Sequence, residues 1–88
     1  MKSDEMNEHE RHIKTRKALR ELPEVSDLEF ILDHVLLSKE DKMIIRMIYL
    51  EGRDMNYISD TLGFSASVIK TRHRKALKKM DAVMRRYF

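Results

Sequence analysis

The residues best suited to chemistry lie at the C-terminal end. Residues 65–88 carry eight Lys/Arg against one acid, Asp81. Lys70, Arg72, Arg74, Lys75, Lys78 and Lys79 crowd into about three helical turns, preceded by the small residues Ala66 and Ser67 and interrupted by Thr71. Long cations reach phosphates, and small residues let a backbone come close to base edges. That chemistry is the recognition of a polyanion, with no bond made or broken. Its plain alternative is a solvated helix face. Charge elsewhere is different in kind: residues 23–64 hold four Lys/Arg against nine Asp/Glu, while residues 1–22 are nearly balanced. The asymmetry points one end of the chain at nucleic acid.

Other chemistries find little support. The chain has no Gly-rich phosphate loop, serine elbow or paired carboxylate in an apolar setting, so it does not read as an enzyme. His9 and His12, near Glu5 and Glu8, have a spacing that metals use, but they lack further ligands; no metal and no cofactor is expected. With no Cys there is no thiolate site or disulfide, and the cytoplasm is the default compartment. The apolar runs Met43-Ile44-Ile45 and Met47–Leu50 are far too short to cross a membrane.

These residues need elements to position them. Eighty-eight residues, 42% hydrophobic and 38% charged, with two Gly and one Pro, suit a small helical bundle rather than a β fold. The predicted architecture is all-α, with an N-terminal helical arm over 1–22 and a helical domain over 23–88. The arm, helical over about 3–21, offers only Met6, Ile13, Ala18 and Leu19 as apolar positions, which predicts loose packing, and Pro23 ends it. Ser26-Asp27-Leu28-Glu29 has the form of a capping box. Leu28, Ile31, Leu32, Val35 and Leu36 then make one buried face. Ser38 starts a third helix, apolar nearly all round from Met43 to Leu50 except at Arg46, and Gly52 stops it. Asp54 caps a short helix bearing Met55, Ile58 and Leu62, and Gly63 ends it. A last helix from Ala66 to Met84 or beyond faces inward through Ile69, Ala76, Met80, Val83 and Tyr87, with Ser65 or Ser67 as its cap. Met43, Met47, Met55, Met80 and Met84 read as core filler.

The short helix, the turn Gly63-Phe64-Ser65 and the basic helix form a helix-turn-helix layout, in which the second helix enters the major groove. The motifs Leu37-Ser38-Lys39-Glu40-Asp41, Ile44–Gly52, Tyr57-Ile58-Ser59, Leu62–Ser65, Val68–Arg72 and Lys75–Met80 carry a family likeness. From Leu28 to Met84 the chain resembles region 4 of bacterial RNA polymerase sigma factors, especially the extracytoplasmic-function type and sigma-like regulators. Response-regulator effector domains are similar across the turn but usually carry a separate fourth helix. The resemblance implies reading of promoter DNA by Ala66, Ser67, Lys70 and Thr71, and contact between the preceding helices and the polymerase.

Ala66 and Ser67 are shorter than the family's usual polar residues, and His73 stands where an apolar residue is usual. The arm is too short to be a promoter-melting region, so a complete sigma factor is not expected. The expected function is therefore a transcription regulator that binds double-stranded DNA, with Lys39, Arg53, Arg74, Lys75 and Lys78 on phosphates. RNA polymerase or a second copy of the chain would supply the second contact that one small module needs. The alternative is a protein-interaction module, a sigma-domain mimic or adaptor that docks on polymerase or a regulator without reading DNA. The acids of the middle segment suit either helix starts or such a protein-facing surface.

Overall fold

The computed structural model describes residues 7–22 and 24–87. The expected start of the arm at about residue 3, its apolar Met6, the Pro23 expected to end it and the acid Glu5 lie outside them. Five helices run among the described residues: α1 (Glu8–Arg20), α2 (Val25–His34), α3 (Lys39–Tyr49), α4 (Met55–Leu62) and α5 (Ala66–Tyr87). No strand occurs among them, and no helix is long and apolar enough to cross a membrane.

Capping explains most of the boundaries. Ser38 accepts from the Asp41 amide at 3.2 Å and starts α3, and Asp54 accepts from the Tyr57 amide at 2.9 Å and starts α4. Gly63 closes α4 at φ +74°, a left-handed conformation in which its N–H donates to the Ser59 carbonyl. At the start of α2 the capping box does not form. The helix begins at Val25, the Ser26 hydroxyl donates to the Glu24 carboxylate at 3.2 Å, and Glu29 is engaged elsewhere. Arg46 on α3 grips Glu29 through two parallel hydrogen bonds, Nε at 2.9 Å and Nη2 at 2.8 Å. This fork holds the Glu29 carboxyl below its usual range and clamps α2 to α3.

Two apolar clusters share α5. The first joins Leu19 of α1, Leu28, Ile31 and Leu32 of α2, and Ile45 of α3 to Ala76, Leu77, Met80 and Met84. The second joins Ile44 and Met47 of α3 and Ile58 of α4 to Ile69, with Phe64 and Leu62 packed against it. Helix α3 therefore touches both clusters, as its nearly all-round apolarity predicts.

Three expectations need correction. Leu36 is 88% exposed, because α2 stops at His34 and Val35 is extended, which ends the helical spacing that placed Leu36 on the buried face. Tyr87 is 47% exposed; it lies edge-on to Phe30, with ring centroids 5.2 Å apart, instead of entering the core. The inward face of α5 instead includes Leu77 and Met84. Helix α1 is also no loose arm. Thr15 and Leu19 are buried, Thr15 because its hydroxyl donates to the Arg11 carbonyl at 2.8 Å and leaves its methyl free to pack, while Ile13 faces solvent. Leu19→Ala should lower the unfolding free energy by about 2–5 kcal/mol in urea titrations; an unchanged midpoint would mean that α1 contributes nothing to the core.

Candidate nucleic-acid interface

The turn between α4 and α5 sets the angle of the basic helix. Gly63 supplies the positive φ, the Ser59 hydroxyl donates to the Phe64 carbonyl, and the Ser65 hydroxyl accepts from the Val68 amide at 3.2 Å. Ser65 thus takes the capping role that two serines could have filled, leaving Ser67 exposed on the first turn. Ile69, fully buried two residues on, pins α5 against α3 and α4.

At about 100° per residue, Ser67, Thr71, Arg74 and Lys78 fall on the side of α5 opposite Ile69, Ala76 and Met80. Ala66, Ser67, Arg74, Lys75 and Lys78 are exposed and Thr71 is half-buried. The Thr71 hydroxyl donates to the Ser67 carbonyl at 3.1 Å, which leaves it able only to accept. Lys70 is exposed on one edge of this stripe, toward α1, where it lines a cleft with Arg53 and Arg74.

The other flank of α5 is occupied. Arg72 pairs with Asp41 at 3.0 Å and lies 4.4 Å over the Phe64 ring, so it ties the turn to α3. Lys79 reaches back toward the Leu36 carbonyl at 3.4 Å. Both cations could have been read as phosphate contacts, and both serve the protein's own packing. Lys39 is exposed on the first turn of α3, the turn that also carries Asp41, the partner of Arg72. Arg53 pairs with Glu51 at 3.2 Å and lies 4.2 Å over the Tyr57 ring at the start of α4.

His73, in a position where an apolar residue was expected, is half-buried behind the stripe, with its Nε2 2.8 Å from the Tyr49 hydroxyl. Desolvation, together with Arg16, Arg20 and His12, lowers its pKa from 6.5 to about 4, and it stays neutral. Burial raises the Tyr49 phenol to about 12, so it keeps its proton. The sequence signal for this half-buried pair is weak, since its partners lie 24 residues apart.

The family described as sigma-70, region 4, matches residues 35–82, more than half of the chain. The chain belongs to the sigma-70 region 4 family. Region 4 is a non-catalytic, DNA-binding helix-turn-helix associated with transcription. The match covers α3, α4 and most of α5, and it does not single out the extracytoplasmic-function type. No curated protein and no solved structure matches the chain. Helices α1 and α2 thus lie wholly outside the region 4 match, although Leu19 and Leu28 share a cluster with α5.

His73 gives the region 4 domain a defined acid response. Between pH about 4 and 6.5 the unfolded chain binds a proton at this ring that the folded chain refuses, so stability falls as pH is lowered through that window. The full shift corresponds to roughly 3 kcal/mol at about 1.4 kcal/mol per unit. Urea unfolding at pH about 7 and about 4.5 should show a larger loss in the wild type than in His73→Gln; equal losses would refute the assignment.

Proposed function

We propose that this region 4 domain binds double-stranded DNA by inserting the first turns of α5 into the major groove. Ala66, Ser67, Lys70 and Thr71 meet base edges, and Arg53, Arg74, Lys75 and Lys78 meet phosphates. Lys39, exposed at the start of α3, meets a further phosphate. The observation that carries this reading is the uncovered stripe Ser67–Thr71–Arg74–Lys78, opposite a fully buried Ile69. A flank held open by the domain's own core is what groove insertion requires.

With Ala66 offering only a methyl and the Thr71 hydroxyl already donating to its own helix, direct hydrogen bonds to bases are few. Affinity then rests mainly on phosphates, and a partner supplies the remaining specificity. RNA polymerase is the partner that membership of this family supports, and the exposed acids Asp33 of α2 and Glu40 of α3 are free of the pairings that occupy Glu29 and Asp41.

The adaptor reading, in which the domain docks on polymerase and never touches DNA, draws on the same small residues. A duplex of random sequence separates the two. Lys70→Ala combined with Arg74→Ala should weaken binding about 100-fold or more at low salt while leaving the helical circular dichroism intact, and wild-type affinity should fall by orders of magnitude between about 50 and 200 mM salt. No duplex binding at low salt, with polymerase still captured, would establish the adaptor instead.

A further inference from the structure

A cleft of about 410 Å3 lies where α1 crosses the helix-turn-helix. Its floor is apolar: Ile48, Met55, Ile58 and Leu77. Its rim is cationic on both sides. Lys70 and Arg74 come from α5 and Arg53 from the loop before α4, while α1 contributes His9, His12 and Arg16. Among the described residues no carboxylate lines it. Glu51 pairs with Arg53 from outside the cleft, and Glu8 Oε1 stands 3.8 Å from His12 Nε2. That His12 nitrogen is buried with no hydrogen-bond partner. His73, also in the lining, is held neutral chiefly by burial, with Arg16, Arg20 and His12 adding to the effect.

Lys70, Arg74 and Arg16 gathered around an unsatisfied ring nitrogen, with no carboxylate in the lining, form a site for an anion. Guanidinium groups and imidazoles favour phosphate oxygens, and an apolar floor beneath them suits the sugar that carries the phosphate. We propose that this cleft is a sugar-phosphate site, closed by the α1 residues His9, His12 and Arg16, which lie outside the region 4 match. The sugar-phosphate comes either from the backbone of a duplex lying along α5 or from a free nucleotide. The duplex source rests on the reading under Proposed function; the free source does not. A free nucleotide would occupy Lys70 and Arg74 and so exclude DNA.

Histidine ring resonances of the full chain, followed by NMR, test the site with three probes: a random-sequence duplex, a nucleoside monophosphate and inorganic phosphate. Arg16→Gln and His9→Gln are compared alongside, with circular dichroism as the folding control. The His12 and His73 signals should shift, and Arg16→Gln should weaken the responsible probe about tenfold. For a duplex, Arg16→Gln should also lower the salt slope by about one. Shifts with the duplex alone identify the backbone source, and shifts with the monophosphate or phosphate identify the free one. Duplex binding that leaves both rings unmoved, or a response unchanged in Arg16→Gln, overturns the site while the DNA reading stands. Ring shifts with the monophosphate in a protein that binds no duplex sustain the site and overturn the DNA reading.

Discussion

Ile69 fixes which side of α5 meets solvent. The side chain is fully buried among Ile44, Met47 and Ile58, one turn into a helix that then runs on for 18 more residues to Tyr87. A helix is rigid about its own axis, so seating one residue near its start sets the direction of every later one. Ala76, Leu77, Met80 and Met84 fall into the first cluster, beside α1 and α2, as a result, and Ser67, Thr71 and Arg74 point away from both clusters. Neither cluster could tolerate α5 turning by a quarter without burying a Lys or Arg, which close packing and desolvation both oppose.

Electrostatics refines this placement by dividing the cations of α5 between inward and outward duties. Arg72 is tied down by Asp41 and Phe64, and Lys79 leans toward a backbone carbonyl, so they hold the helix to its neighbours. Lys70, Arg74, Lys75 and Lys78 remain extended toward solvent. The pairings at Arg46 and Arg72 are partly exposed and worth at most about 1 kcal/mol each in such settings, so they specify orientation more than they stabilise.

Local chemistry in the sequence made the helix-turn-helix legible. Asp54, Gly63 and Ser65 each do a job that depends on near neighbours, and the spacing of Ile58, Leu62 and Ile69 needs no distant partner. Features set by distant partners were hidden. The box at Ser26 fails because Glu29 answers to Arg46, 17 residues away. Leu36 kept the right spacing for a helix that had already ended. Thr15 looked polar, yet its hydroxyl is satisfied within its own turn, so a buried position was missed. The cationic cleft was the least visible, because its rim comes from residues as far apart as His9 and Arg74 and no contiguous motif announces it.

The seating of Leu19 beside Leu77 and Met84 has a practical corollary for anyone trimming the chain to the family boundary at residue 35. Such a fragment would keep the reading helix but lose Leu19 and the α2 leucines and isoleucine that cover the greasy flank of its later turns, from Ala76 to Met84. The bared strip would seek any other oily surface, and two fragments meeting there would clump. The leading segments of this protein are thus a built-in sheath for the rear of its reading helix.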